Sequence, residues 1–450
     1  MTKKNLFIQT IGCQMNVYDS RQIENMMRQA GYQRAGSADK ADLIIVNTCA
    51  IRDKAEQKLY SLLGRLAPIK QRNPDVVLAV GGCVAQQEGK ALLSRVPYLD
   101  LVFGTHTLNR IPELVARVIS TKSRIVDVGI HVIEDPLPTE NARGNGKEVS
   151  RFVTIMRGCD NFCTYCVVPY VRGRETSRAP DRIIAEIEAL VGEGIREVTL
   201  LGQNVNSYGN REGLITFPEL LLKVNEISGL SRIRFTTSHP KDLSDALIES
   251  FVSLEKLCPH IHLPVQSGSD AVLKRMKRRY TRDMFSERVA GLREKCGDIA
   301  LTSDIIVGFP GETESDFQLT LDLIQEIQFD GLFAFKYSDR PNARAAGYMA
   351  KVSEKEKARR LQVLLDCQQA ITLKKNRALE GTEQVVLVEG VSRMSDTRDP
   401  QWTGRSLNNK IVNFTIPEKI APSEEDWVGR QVKVVIYKGL LHSLQGKMLA

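Results

Sequence analysis

Along the first 130 residues the apolar positions gather into short strand-like runs, each closed by a turn. They are Leu6–Ile11, Leu43–Val46, Val76–Val80 and Leu101–Phe103. Between them lie stretches with helical spacing, such as Arg21–Gln29 and Lys54–Leu66. Regular alternation of the two predicts a parallel, doubly wound sheet over residues 1–134. Residues 135–150 carry Pro, Gly and charge with no apolar period, which predicts a linker.

From Arg151 the alternation restarts. Six strands are expected, at Phe152–Met156, Glu197–Leu201, Arg232–Thr237, Ile261–Val265, Ala300–Val307 and Leu332–Tyr337. Helices separate most of them. Asp181–Glu193 places Ile183, Ile184, Ile187, Leu190 and Val191 on one face, with Asp181 as its expected N-cap. Six successive βα units over residues 151–379 predict a partial barrel, with chemistry at the carboxyl ends of its strands. Residues 354–379 read as one charged helix. Beyond Gly381 the period shortens to alternating strands at Gln384–Val388, Ile411–Phe414 and Gln431–Tyr437, so residues 380–450 are expected to form a small antiparallel β-barrel.

Composition narrows the function classes. No window approaches eighteen unbroken apolar residues, and the N-terminus lacks the apolar stretch and cleavage site of a signal peptide, so a cytoplasmic protein with no membrane partner is expected. The net charge of +8 permits a polyanionic partner such as RNA without requiring one. Nine cysteines, an odd number without secretory context, argue for metal binding or catalysis and against a disulfide framework.

Three of them, Cys159, Cys163 and Cys166, form C-x3-C-x2-C directly after the first strand of the predicted barrel. Thiolates so close cannot all belong to one regular helix or strand, but they can wrap three corners of a cubane iron–sulfur cluster and leave one iron open. A structural zinc site would want a fourth ligand, usually from a second C-x2-C or a histidine pair, and none lies nearby. Cys13, Cys49 and Cys83 each follow a predicted strand within a few residues. Loops after successive parallel strands converge on one sheet edge, so these three can meet in space as the ligands of a second cluster. Read singly, each is a small buried hydrophobe. Gly12, Gly81 and Gly82 would let the backbone turn tightly there. Cys258, Cys296 and Cys367 belong to no such pattern.

The loop Arg157-Gly158-Cys159-Asp160-Asn161-Phe162-Cys163-Thr164-Tyr165-Cys166 resembles that of the radical S-adenosylmethionine (SAM) superfamily. There the open iron binds the amino and carboxylate groups of SAM, and one electron cleaves SAM to methionine and a 5′-deoxyadenosyl radical. Gly12-Cys13-Gln14-Met15-Asn16, Asp19-Ser20 and Asn47-Thr48-Cys49 resemble the N-terminal domain of methylthiotransferases, which bind an auxiliary cluster through three such cysteines. The C-terminal segment resembles a TRAM domain. Cys163-Thr164-Tyr165-Cys166-Val167-Val168-Pro169-Tyr170-Val171-Arg172-Gly173, Thr237-Ser238-His239-Pro240 and His262-Leu263-Pro264-Val265-Gln266-Ser267-Gly268-Ser269 are similar to the branch acting on isopentenyl adenosine in tRNA.

The resemblance implies two [4Fe-4S] clusters, two SAM per turnover, and tRNA methylthiolated at carbon 2 of the adenosine at position 37, beside the anticodon. It also implies a low-potential electron donor protein and a monomer. A branch acting on threonylcarbamoyl adenosine and a non-catalytic RNA-binding metalloprotein are the alternatives.

Strand-end polar residues are the expected SAM contacts: Gln203 after the second strand, Ser238 after the third, Gln266 after the fourth and Asp304 within the fifth, with Tyr165 between two cluster cysteines. For RNA, the basic run Lys274–Arg279 offers Lys277 and Arg278, with Tyr280 to stack on a base. Arg172 and Arg174 follow the cysteine loop, and Arg405 lies in the C-terminal barrel.

Overall fold

The structure, a computed structural model, describes residues 4–50, 53–130, 148–392, 401–417 and 427–449. The predicted linker 135–150 lies outside the described residues except for its last three positions. The chain forms two compact units. One contains the N-terminal sheet with Met156–Arg178 and Ser338–Ala346, and the other contains the remaining βα elements and the C-terminal barrel.

The N-terminal sheet has six strands: β1 (Lys4–Ile11), β2 (Tyr32–Arg34), β3 (Leu43–Thr48), β4 (Val77–Gly82), β5 (Leu101–Phe103) and β6 (Ile125–Asp127). They pair in the order β2-β1-β3-β4-β5-β6, all parallel. Four were expected. β2 and β6 are three-residue edge strands, too short to show a period. Side chains alternate across β3, so Leu43 and Ile45 face one side and Ile44 and Val46 the other. Helices α1 (Gln14–Gln29) and α5 (Ile111–Thr121) cover the first side through Ile23, Met27, Leu114 and Val115. Helix α2 (Asp53–Arg72) covers the second through Leu59 and Leu63, with α3 (Cys83–Glu88) and α4 (Lys90–Arg95) beside it. The sheet is doubly wound, and its strand order reverses between β1 and β3, where such sheets open a crevice at their carboxyl edge.

In the second unit six parallel strands follow in order: Ser150–Thr154, Glu197–Leu201, Arg232–Thr236, His260–His262, Ala300–Val307 and Gly331–Lys336. The first three form one ladder and the last three another, with a parallel bridge between Ile233 and Leu257 just ahead of the fourth. Helix Pro180–Gly192 begins two residues earlier than the assignment of Asp181 as N-cap requires. Pro180 takes the first helical position, where its missing N–H costs nothing, so Ala179 is the cap and Asp181 lies in the first turn. The charged segment is a single helix, Glu354–Arg377, capped by Ser353.

The C-terminal strands Glu383–Val391, Trp402–Ser406, Ile411–Thr415, Gln431–Gly439 and Leu444–Met448 close a barrel around Val386, Val388, Val412, Phe414, Val434 and Ile436. One pair, Ile411–Thr415 with Leu444–Met448, is parallel, which corrects the expectation of a wholly antiparallel barrel. An odd number of strands cannot close a ring with every neighbour antiparallel.

Candidate metal centres and cofactor site

Cys13 follows β1, Cys49 follows β3 and Cys83 follows β4, three strands that are neighbours in the sheet. Their thiols gather at its carboxyl edge. Cys49 hydrogen-bonds to Cys13, and Cys83 stands within electrostatic range of it. Beneath them lies a buried polar network. Asn16 Nδ2 donates to Asn47 Oδ1 (3.1 Å) and to the Thr48 carbonyl (3.0 Å), and Asn47 Nδ2 donates to the Asn16 carbonyl and to Ser20 Oγ (both 2.9 Å). Asn16 Oδ1 accepts from the Cys13 thiol at 3.3 Å. The two asparagines fix α1 against β3 and thereby set the spacing of Cys13 and Cys49.

Two glycines make this approach possible. A Cβ on Gly12 would lie 2.8 Å from the Cβ of Cys49. Gly82 has φ +90°, and a Cβ there would lie 2.3 Å from the Thr48 carbonyl oxygen.

The loop of Cys159, Cys163 and Cys166 belongs to the same unit. Its base is a two-residue antiparallel ladder, Met156–Arg157 with Thr176–Ser177, and Gly158, at φ +74°, packs on the Arg174 carbonyl. After Cys166 the chain turns into helix α6 (Val168–Arg172), which is tied to the sheet by Thr105 Oγ1 donating to the Val171 carbonyl at 2.6 Å. Both cysteine trios thus sit in one compact body. Among the described residues no group of three or more His, Cys, Asp or Glu is arranged to hold a single metal ion.

The electrostatics of the two trios differ. The hydrogen bond from Cys49 lowers the Cys13 pKa, to about 6, against the effect of burial and with help from the Arg172 guanidinium. Burial raises Cys83, and it raises Cys159 to about 11. Arg172 is buried, with Nη2 2.9 Å from Asp19 Oδ2. Arg157, just before the cysteine loop, places Nη2 3.8 Å from Asp19 Oδ1.

In the second unit the expected cofactor contacts lie along the carboxyl ends of the strands. Gln203 Oε1, Ser238 Oγ and Gln266 Oε1 are buried without a hydrogen-bond partner, as are both side-chain polar atoms of Asn206. Buried polar atoms left bare are costly, and a ligand with several donors and acceptors would satisfy them. Asp304 stands 3.5 Å from His262 Nε2. Thr237 and Gln266 hold positive φ (71° and 73°), a strained conformation for side-chain-bearing residues and one concentrated at functional sites. Asn206 escaped sequence reading, although it lies two residues beyond Asn204 in the same strand-end loop. Tyr165 is half-buried within the cysteine loop of the first unit.

Burial corrects part of the RNA reading. Arg172 is spent inside the first unit. Arg278 is also buried, with Nη2 donating to the Pro264 carbonyl at 2.6 Å and Nε to Tyr280 at 3.1 Å, while the Tyr280 hydroxyl donates to the Val265 carbonyl at 2.7 Å. Neither arginine presents its charge to a phosphate, and Tyr280 is not free to stack. Arg174 is exposed in a bidentate pair with Asp160, Lys277 is exposed at the end of helix Asp270–Met276, and Arg405 is half-exposed beside Glu389. Cys258, Cys296 and Cys367 belong to the second unit and the six cysteines of the two trios to the first.

Comparison with known proteins accords with this layout. Residues 5–104 match the uncharacterized protein family UPF0004, and residues 153–324 match the Radical SAM superfamily. The chain is 54% identical to the tRNA-2-methylthio-N(6)-dimethylallyladenosine synthase of Desulfosudis oleivorans, over 98% of this chain and 96% of that protein. It is 49% identical to the protein of the same name from Syntrophus aciditrophicus, over 100% and 95%, and 46% identical to that of Carboxydothermus hydrogenoformans, over the whole of both. Among solved structures, the radical SAM methyltransferase TsrM of Kitasatospora setae matches with a TM-score of 0.59 at 13% identity, over 77% of this chain and 74% of that one, which is a likeness of fold.

Proposed function

The chain belongs to the family of the tRNA-2-methylthio-N(6)-dimethylallyladenosine synthases, and from that premise we propose that it methylthiolates carbon 2 of N6-isopentenyl adenosine at tRNA position 37 with two four-iron clusters. It is a radical SAM enzyme and a tRNA methylthiotransferase. The observation that carries the two-cluster reading is the placing of both cysteine trios in one compact unit.

Cys159, Cys163 and Cys166 would hold the cluster that binds SAM, and Cys13, Cys49 and Cys83 the auxiliary one. When bound, a three-cysteine cluster with SAM supplies the hydrogen-abstracting radical that an aromatic C–H, lacking any acid–base handle, requires. The protein's own share is positioning and exclusion of water. Gln203, Ser238, Gln266 and Asp304 would orient SAM along the strand ends, with Tyr165 beside the cluster. Arg174, Lys277 and Arg405 remain as contacts for tRNA, and small five-stranded barrels such as the C-terminal one are a recurrent oligonucleotide-binding form. A three-domain division at 1–134, 151–379 and 380–450, a low-potential electron donor, a monomeric state and a cytoplasmic location complete the proposal.

Nucleoside mass spectrometry of tRNA from a deletion strain tests the substrate. 2-Methylthio-isopentenyl adenosine should vanish and isopentenyl adenosine accumulate. Loss of the methylthio mark from threonylcarbamoyl adenosine instead would transfer the assignment to the other branch. Anaerobically reconstituted protein should carry about eight irons. Cys13→Ala should halve that content while leaving SAM cleavage measurable, and retention of full iron would remove the N-terminal cluster.

A further inference from the structure

Asp19 on α1, Arg157 at the root of the cysteine loop and Arg172 at the end of α6 form a buried group of two cations and one anion. The side chains of Arg172 and Asp19 are 4% and 2% exposed, and that of Arg157 is 16% exposed. The group carries one surplus positive charge, because arginine stays protonated even when buried. Burying an uncompensated charge costs several kcal/mol, so such a surplus calls for an anion beside it.

The geometry shows where that anion belongs. Arg172 Nη1 and Nη2, Arg157 Nη1 and Asp19 Oδ1 are buried with no hydrogen-bond partner in good geometry. The Arg172 guanidinium lies within electrostatic range of Cys83 and of Cys13. Its unsatisfied N–H groups are therefore available to the N-terminal trio. An oxidised four-iron cubane carries two positive charges, and three thiolates leave it with one net negative charge, which equals the surplus.

We propose that Asp19, Arg157 and Arg172 are positioning residues that set the charge and the reduction potential of the Cys13–Cys49–Cys83 centre, with Arg172 as the N–H donor to its sulfur. The inference rests on the two-cluster reading and adds a role for residues outside the ligand set. The fixed positive charge favours the cluster that has gained an electron. The same group ties α1, which begins directly after Cys13, to the loop of the other trio, so the charge-setting residues are also the physical link between the two centres.

The test isolates the N-terminal centre in the full-length Cys159→Ala/Cys163→Ala/Cys166→Ala protein, reconstituted anaerobically with iron and sulfide. Its midpoint potential is read by titration with dithionite under electron paramagnetic resonance. Arg172→Met should shift the midpoint to more negative values, Asp19→Asn should shift it to more positive values, and Arg172→Lys should stay near the parent. A merely structural role would move both variants in one direction or broaden the spectrum without moving the potential, and either result overturns the charge assignment. Should Arg172→Met fail to fold, a shift of Asp19→Asn to more positive values while Arg172→Lys holds near the parent decides alone. Absence of iron from the parent triple variant overturns the cluster reading itself, and is distinguished from the other failures by the iron assay.

Discussion

Two buried triads in this molecule have the same composition, two arginines around one acid, and opposite uses. In the second unit Arg232 and Arg234 flank Glu197, with Arg234 Nε 2.9 Å and Arg232 Nη1 4.0 Å from Glu197 Oε2. Every nitrogen of these guanidinium groups finds an acceptor. Arg232 donates to Gln431 Oε1 (3.0 Å) and to the carbonyls of Arg405 (2.7 Å) and Val385 (3.1 Å), and Arg234 donates to the carbonyls of Leu407 and Ser406 (both 2.8 Å). These bonds weld the third strand to the C-terminal barrel. In the first unit Arg172 and Arg157 around Asp19 keep N–H groups without acceptors, and Arg172 lies within electrostatic range of Cys13 and Cys83. A satisfied triad is a fastener, whereas an unsatisfied one is half of a binding site. Burial of charge does not distinguish them; the destination of each N–H does.

The contrast is sharpest when each triad loses one arginine. Arg232→Met strands three acceptors, two of them backbone carbonyls, at about 1 kcal/mol or more each, so a loss near 3 kcal/mol is expected in urea unfolding. Arg172→Met in iron-free protein removes the surplus charge and leaves Asp19 with Arg157 at 3.8 Å, so its cost should stay below that of Arg232→Met. Equal losses would erase the distinction between fastener and site.

The doubly wound class of the sheet and the strand-end positions of both trios were legible in the sequence, because apolar runs alternating with helical spacing and cysteines at fixed offsets from those runs are local signals. Asp19 and Ser20 were visible only as part of a family motif. Their use became apparent once α1 was docked, since the partners of Asp19 lie more than a hundred residues away at Arg157 and Arg172. The misplaced expectation for Arg278 has the same root. A run such as Lys274–Arg279 looks uniformly basic in one dimension, yet it ends a helix, and the turn exposes Lys277 while folding Arg278 inward. The barrel strands Trp402–Ser406 and Leu444–Met448 escaped notice because Gly404 and Gly446 interrupt their alternation.

A smaller effect follows from His260, beside the fastening triad. It is buried, and burial lowers its pKa to about 3, with Arg234, His262 and Lys410 acting in the same direction and Asp330 against them. The unfolded chain takes up this proton near pH 6.5, whereas the folded chain refuses it down to about 3. The unfolded state therefore binds more protons in that window, and stability is lost as pH falls through it. The slope is at most about 1.4 kcal/mol per pH unit, or about 2 kcal/mol between pH 6.5 and 5. Carboxylates add their own acid loss at lower pH, so the difference between the parent and His260→Gln isolates the histidine. A parallel pair of curves from pH 6.5 to 5 would show that His260 is hydrated in the folded state.

The least expected loss of stability lies at Arg405, whose backbone carbonyl belongs to the fastener while its side chain does not. That side chain pairs with Glu389 at 3.1 Å, 36% and 31% exposed. A pair so open to water contributes at most about 1 kcal/mol, since solvent screens it and two long side chains must be ordered to form it. Arg405→Ala keeps the backbone acceptor for Arg232 and should unfold within about 0.5 kcal/mol of the parent. If the barrel grips tRNA through this residue, the same substitution should weaken binding several-fold and reduce the dependence of log affinity on log salt by about one unit, as loss of one phosphate contact does. Unchanged affinity and salt slope would leave the barrel's hold on RNA to other residues, while a large unfolding effect would place the Arg405 side chain within the fastening triad after all.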